Sequence, residues 1–308
     1  MEHEQYFFKS SLNQDISARV WKPDNEIKAV MIICHGMAEH IKRYDGFAEF
    51  LAKNQILSCG IDYPGHGDSV NGCLGFFTEK DGAQYVTNCI LKLKQDITVK
   101  YPGVPLILFG HSLGSFFARY IASNYSEGID CFIFCGTQGP LSIIKLAKLL
   151  AKIGVKLKGA KHPNVFIDNL MNNMHNKAFK PLRTNFDWLN RDEVSVDRYL
   201  ADEKCGFVFT SSAFYDMFYV LDYINAKKWY SMLDKNKPYL LISGSACAVG
   251  EFGKGVNIVY NSMKEADITD VTLKLYENAR HEILNELNYK EVYEDIINYI
   301  NKKINTGK

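Results

Sequence analysis

The chain has 308 residues, a formal net charge of +1 and an ordinary globular composition, 47% hydrophobic and 23% charged. This length is enough for a large buried core, and the near-zero charge gives no overall bias toward nucleic acid. The polar amino terminus lacks a secretory apolar region, and no uninterrupted apolar run is long enough to span a membrane. We therefore expect a cytoplasmic protein that touches a membrane only from outside and has no nucleic-acid partner.

The eight cysteines show no C-x-x-C pair and no histidine spacing typical of zinc sites. Several lie inside apolar, strand-like runs, as Cys34 does at the end of 28–34. They are interpreted as buried free thiols. The turn over 62–69 contains one histidine and two aspartates, but no ligands recur there at helical spacing, so we interpret it as loop architecture.

Strands and helices alternate through the first 135 residues. An edge hairpin is predicted over 4–9 and 15–21, followed by buried strands at 28–34, 56–61, 104–109 and 129–135. Helices are predicted at about 43–53, at 79–99 and directly after residue 112. This alternation indicates a mostly parallel central sheet with helices on both faces and a site at the carboxyl ends of the strands.

The run Gly110-His111-Ser112-Leu113-Gly114 lies between a predicted strand and a predicted helix. A G-x-S-x-G motif in this context is typical of the nucleophile elbow of an α/β-hydrolase, where a sharp turn lifts the serine clear of the sheet. Ser112 is therefore the candidate nucleophile. The backbone N–H groups of Leu113 and of Met37, in the His-Gly loop after strand 28–34, are the candidate oxyanion donors. His35 is interpreted as a structural hydrogen-bonding residue of that loop.

Between residues 136 and 235 the alternation of strand and helix patterns ends. The pattern predicts a helical cap over 136–235, inserted into a hydrolase core formed by 1–135 and 236–308. Its stretch 141–161 alternates apolar residues with lysines and has no acidic residue. Such a helix suits the surface of an anionic membrane, or it packs one apolar face on the core, and periodicity favours packing. The aromatic residues in the rest of the cap fit an acyl pocket or a packed subdomain equally.

His281 follows the last predicted strand, 271–276, and precedes the last helix, 286–303. The chain order of serine, acid and histidine in this fold makes His281 the candidate general base. The acid should follow the strand at 238–244, but the loop after it contains no aspartate.

Together these motifs resemble the monoacylglycerol lipase/lysophospholipase group of α/β-hydrolases, especially its bacterial members. The matching segments are 35–40, 65–69, 110–114, 183–192, 205–207 and 280–286. The resemblance implies hydrolysis of monoacylglycerol or lysophospholipid esters through an acyl-enzyme, with Ser112 as nucleophile and His281 as base. Nucleophile, base and oxyanion donors are all protein groups, so no metal or organic cofactor is implied.

The sequence differs from this group at the position of the catalytic acid. Where such enzymes carry S-G-x-x-D-P-V-G, residues 243–250 read Ser-Gly-Ser-Ala-Cys-Ala-Val-Gly, which puts Cys247 at the aspartate position. One explanation is that Glu251 reaches back to His281, and another is that Cys247 accepts the imidazole N–H as a thiolate. The third is a substitution, natural or engineered, that leaves a slow or inactive enzyme, since losing the acid costs about 10⁴ in turnover.

Two other functions stay open at this point. An amidase or aminopeptidase on the same fold would need carboxylates to hold a free amine, for which Glu39 is the one candidate. The missing aspartate also allows a non-catalytic protein that binds lipid.

Overall fold

The computed structural model describes residues 1–304. Within them one sheet of eight strands has the spatial order β1-β2-β4-β3-β5-β6-β7-β8. In chain order these strands are Glu2–Lys9, Asp15–Lys22, Ala29–Cys34, Ile56–Ile61, Leu106–His111, Cys131–Cys135, Tyr239–Gly244 and Val271–Tyr276. β1 and β2 form an antiparallel hairpin at one edge, β2 pairs antiparallel with β4, and all other pairings are parallel. The predicted, mostly parallel sheet is confirmed.

Ten α-helices, α1 to α10, occur in residues 1–304. They are Asp45–Lys53, Gly82–Lys100, Leu113–Asn124, Ile144–Lys158, Val165–Asn176, Glu193–Ala201, Ser211–Ile224, Lys227–Ser231, Lys254–Glu265 and Tyr289–Ile304. The helix predicted at 43–53 starts two residues later, after a 3-10 turn at Ile41–Tyr44. The helix predicted at 79–99 is shifted to Gly82–Lys100.

Helices cover both faces of the sheet, which explains the continuous apolar runs of its central strands. Leu108 and Phe132 belong to the core cluster that also contains residues of α2 and α3. Their sequence neighbours Ile107 and Ile133 belong to the opposite cluster, with residues of α1 and α10. Because successive strand residues point to opposite faces, one apolar run fills two cores.

Between β6 and β7 the described chain forms α4 to α8 and adds no strand to the sheet. The buried Arg119 of α3 ties both ends of this insert to the core. Its guanidinium donates to the carbonyl of Gln138, before α4, at 2.9 Å and to that of Ile224, at the end of α7, at 2.6 Å. Its guanidinium also lies 4.5 Å from the ring centre of Trp229 in α8.

All eight cysteines are free, and six of them, Cys247 included, are buried. In the described residues no helix is both long and apolar enough to cross a bilayer.

Candidate active site

Ser112 occupies a strained turn between β5 and α3, with φ 53° and ψ −119°. This conformation is one that side-chain-bearing residues rarely adopt, and such strain is typical of functional sites. The turn depends on the flanking glycines, because a Cβ on Gly110 would overlap the carbonyl of Gly114 and one on Gly114 would overlap that of Cys34. The N–H of Ser112 donates to the carbonyl of Cys135 at 2.9 Å, which anchors the turn to β6.

The loops after β7 and β8 bring Cys247 and His281 together beside this turn. Sγ of Cys247 lies 3.1 Å from Nδ1 of His281, and the N–H of Gly250 also donates to Sγ, at 3.4 Å. Nε2 of His281 is buried and has no hydrogen-bond partner in the described chain. His281 and Ser112 line the same cavity. The imidazole is therefore held at Nδ1 and leaves Nε2 available.

Both partners of this contact favour their neutral forms. Burial lowers the pKa of His281 well below its usual value, and His111 and His175 lower it further. Burial raises the pKa of the Cys247 thiol, although nearby backbone amides oppose the effect. The environment thus disfavours the Cys247 thiolate that the sequence left open, and Cys247 is a neutral thiol in hydrogen-bond contact with Nδ1 of His281.

Glu251 lies four residues beyond Cys247 in a left-handed backbone conformation, with φ 51°. Its side chain is partly exposed. Within residues 1–304 its carboxylate makes no hydrogen bond or ion pair with His281, and Glu251 does not line the cavity. The structure therefore does not bring Glu251 into contact with His281, as a replacement acid would require.

Met37 and Leu113 both line the cavity next to Ser112. Leu113 is the first residue of α3, so its N–H has no acceptor in the preceding turn. The N–H of Met37 has no acceptor in the described residues either. In the described residues both amides are therefore unpaired, and both residues line the cavity that contains Ser112.

The loop that carries Met37 is held by hydrogen bonds on both sides. His35 accepts the N–H of Tyr63 at Nε2, 3.1 Å away, so its Nδ1–H donates to the carbonyl of Gly36 at 2.8 Å. His35 therefore has a structural role, as expected. The N–H of Gly36 donates to Oε1 of Glu39 at 2.5 Å.

Glu39 itself belongs to a buried ionic group. Arg43 contacts Oε2 of Glu39 at 2.5 Å and makes a bidentate pair with Glu282 at 2.7 and 2.8 Å. The hydroxyl of Tyr44 donates to the other oxygen of Glu39 at 2.9 Å. Because these bonds occupy the carboxylate, Glu39 is not free to hold a substrate amine.

The walls of the cavity come mainly from the segment between β6 and β7. Its apolar lining includes Leu141, Ile143, Ala147 and Leu150 from the α4 region and Met217, Phe218 and Leu221 from α7. A polar line on α5, formed by Asp168, Asn172 and His175, also lines the cavity. No sequence motif predicted this line, although its i, i+4, i+7 spacing places all three residues on one helix face.

The basic stretch 141–161 forms α4 and divides its apolar residues between two environments. Ile144 and Ala151 are buried, and α4 packs against α7. Four other apolar residues are 42–75% exposed: Leu146, Leu149, Ile153 and Leu157. Packing on the core, which periodicity favoured, therefore accounts for only part of this helix.

One group of side chains in the described residues has the donor set of a metal site, with ligand atoms of His40, Asp202 and Cys205 within 4.8 Å of one another. Nε2 of His40 lies 2.8 Å from a carboxylate oxygen of Asp202. This hydrogen bond links the loop of Met37 to the turn after α6.

The sheet order, the serine elbow after β5 and the histidine after β8 define an α/β-hydrolase. The sequence model of the family described as Serine aminopeptidase, S33 (Hydrolase_4) matches residues 25–288. The chain belongs to this family.

Several known proteins are similar to this chain over nearly its whole length. A mouse (Mus musculus) monoglyceride lipase is 27% identical over 290 residues, which cover 94% of this chain and 86% of that protein. A thermostable carboxyl esterase from Bacillus coagulans, solved with glycerol, has a TM-score of 0.92 at 25% identity and 99% coverage of both chains. A Saccharomyces cerevisiae monoglyceride lipase, solved with a substrate analogue, shares the fold with a TM-score of 0.80 at 19% identity, covering 98% of this chain and 96% of that one.

Proposed function

We propose that this protein is a serine hydrolase that cleaves the carboxylic ester of monoacylglycerols or closely related single-chain lipids. The observation that carries the proposal is the shared cavity, in which Ser112, Nε2 of His281 and the free amides of Met37 and Leu113 meet an apolar wall. The relatives named as monoglyceride lipases and the esterase solved with glycerol support an ester substrate of this class.

In the proposed reaction Nε2 of His281 takes the proton of Ser112 while Oγ attacks the ester carbonyl carbon. The resulting oxyanion accepts hydrogen bonds from the N–H groups of Met37 and Leu113. When the intermediate collapses, the carbon–oxygen bond to the alcohol breaks, and His281 protonates the departing alcohol. A water molecule deprotonated by His281 then attacks the acyl-enzyme, which releases the fatty acid and restores Ser112.

Cys247 takes the place of the acid in this scheme. Its sulfur lies against Nδ1 of the imidazole. In the tautomer that the reaction requires, Nδ1–H donates to this sulfur and Nε2 is free to accept a proton. A neutral thiol supplies no charge to stabilise the imidazolium that forms. We therefore infer an active but slow enzyme.

Residues 136–235 are proposed to act as a cap that supplies the acyl-chain site. The apolar residues of α4 and α7 that face the cavity support this role. Because the ends of the segment are tied to α3 through Arg119, the cap is positioned by the same helix that begins at Ser112.

A fluorophosphonate probe and a fatty-acid release assay on 1-monoacylglycerol test the proposal together. We expect labelling and hydrolysis that Ser112→Ala and His281→Ala both abolish. Absent labelling of a folded protein that still binds the lipid would support a non-catalytic binder instead. Faster hydrolysis of aminoacyl anilides than of esters would support an aminopeptidase.

The outer surface of the cap is proposed to contact an anionic lipid surface. Exposed apolar residues of α4 and α5, such as Leu149 and Phe166, belong to the same segment as the exposed lysines 145, 152, 156 and 158. Exposed apolar residues alternating with lysines along a helix are the combination that binds an anionic interface.

Sedimentation with vesicles tests this contact. We expect binding to phosphatidylglycerol vesicles to weaken in K152Q/K156Q and to persist in the control K227Q/K228Q, which removes two exposed lysines from α8. Equal binding of both double variants, or equal binding to phosphatidylcholine vesicles, would contradict it.

A further inference from the structure

The polar line on α5 is embedded in an otherwise apolar cap wall. The side-chain amide of Asn172 donates to Oδ2 of Asp168 at 3.0 Å, and the indole N–H of Trp188 donates to the amide oxygen of Asn172 at 3.1 Å. These bonds fix the orientation of Asn172 and leave the other carboxylate oxygen of Asp168 without a partner in the described residues. The line therefore offers a free acceptor to the cavity.

This line is connected to the catalytic histidine through aromatic contacts. The rings of His175 and Trp188 are 4.6 Å apart, and those of Trp188 and His281 are 5.2 Å apart. From His175 to Asp168 the helix rises by about 10 Å. The cavity that contains Ser112 therefore extends along this face of α5, and residues from His175 to Asp168 line it.

The charges around the cavity have one sign. Among the residues that line it in the described chain there is no lysine or arginine, but there are three carboxylates, of Glu39, Asp168 and Glu282. Glu39 and Glu282 share the single cation of Arg43. Asp168 forms no ion pair in residues 1–304, and its partial burial raises the pKa of its carboxyl, as expected for an uncompensated anion.

The histidines of the cavity add no compensating charge. Burial lowers the pKa of His175 to about 4, and it also lowers the pKa values of His111 and His281. All three are therefore neutral near pH 7, so the cavity is net negative.

We propose that Asp168, oriented with Asn172, is a specificity site that accepts hydrogen bonds from the hydroxyl groups of uncharged lipid head groups and excludes head groups that carry a phosphate. This inference rests on the proposed function, because it concerns the polar end of the same single-chain ester. A hydroxyl donates to a carboxylate in a charge-assisted bond. A phosphate here meets an unpaired anion in a partly desolvated site, without the arginine or lysine that phosphate recognition requires.

Binding of two unreactive ethers to the Ser112→Ala variant tests the proposal by calorimetry. The ligands are 1-O-octylglycerol and its 3-phosphate, which share one chain and differ by one phosphate group. We expect the uncharged ether to bind at least about tenfold more tightly, and added salt to narrow the difference because it screens repulsion. Asp168→Asn should reduce the ratio of the two affinities at least about fivefold, chiefly because the phosphate-bearing ether binds more tightly.

Glu203→Gln is the matched control, since it removes a carboxylate from an exposed position of the same segment that does not line the cavity. It should leave the ratio unchanged. Equal affinities for the two ethers, a ratio insensitive to D168N, or binding of neither ether would overturn the inference. Ester hydrolysis without this selectivity overturns only the specificity site, whereas selectivity in a protein that hydrolyses no ester overturns only the proposed function.

Discussion

Sγ of Cys247 lies 3.1 Å from Nδ1 of His281, at the position where the enzymes that this sequence resembles carry an aspartate. The thiol is buried and its pKa is raised, so the sulfur in contact with the imidazole is uncharged. A carboxylate at this position both orients the imidazole and stabilises the imidazolium. In this protein a neutral thiol contacts the imidazole and cannot provide that charge stabilisation.

Restoring the carboxylate should accelerate the reaction. We expect Cys247→Asp to raise kcat for a monoacylglycerol by about 10²–10⁴, because an aspartate stabilises the imidazolium as it forms. The amide of Gly250, which already donates to Sγ, is placed to support the new carboxylate. Steady-state fatty-acid release measures the change.

Two variants control this experiment. Asparagine has a shape similar to that of aspartate but no charge, so Cys247→Asn should give no comparable gain in kcat. Glu251→Gln should leave kcat unchanged, since Glu251 makes no contact with His281 in the described structure. A large loss in E251Q, together with no gain in C247D, would show that Glu251 reaches His281 during turnover.

The pH dependence should move with the same substitution. Catalysis needs neutral His281, and its lowered pKa places the acidic limb of kcat/KM well below pH 6.5 in the unmodified protein. A carboxylate at 247 favours the imidazolium and raises that pKa, so the limb of C247D should shift to higher pH. A limb at the same pH in both proteins would show that residue 247 does not control the charge of His281.

Arg43 should be important for stability because, among residues 1–304, it is the one cation that pairs with the buried carboxylates of Glu39 and Glu282. Arg43→Met leaves both uncompensated and should lower the free energy of unfolding by about 3–5 kcal/mol. Lys53→Met, which breaks the exposed pair with Glu49, should change it by less than about 1 kcal/mol. Urea denaturation of the two variants compares the effects, and similar losses would mean that the buried group is not specially stabilising.

Asp216 of α7 should make stability fall as pH rises. Burial raises the pKa of its carboxyl from 3.8 to about 7, so the folded state binds more protons than the unfolded state between these values. The contribution of Asp216 to the free energy of unfolding therefore decreases from pH 4 to pH 7, and D216N should remove this contribution, which amounts to as much as about 4 kcal/mol over that range. Denaturation at several pH values measures it. The control D267N, at an exposed carboxylate, should keep the slope of the unmodified protein.

The sequence by itself determined the sheet, the serine elbow and the place of His281. Local periodicity predicts strands such as 56–61, and the glycines around Ser112 predict the turn between its strand and its helix. Both signals can be recognised in one sequence. Helix ends were displaced by a few residues, as at Gly82, because capping depends on neighbours as well as on local pattern.

Only the tertiary structure decided which side chains meet. Cys247 rather than Glu251 contacts His281, the line from Asp168 to His175 faces the cavity, and α4 exposes half of its apolar residues. Periodicity states which residues share a helix face, but what that face packs against is set by contacts between segments far apart in the chain. For the same reason the charge state of the site, which depends on burial, could be established only once the loops after β7 and β8 were placed together.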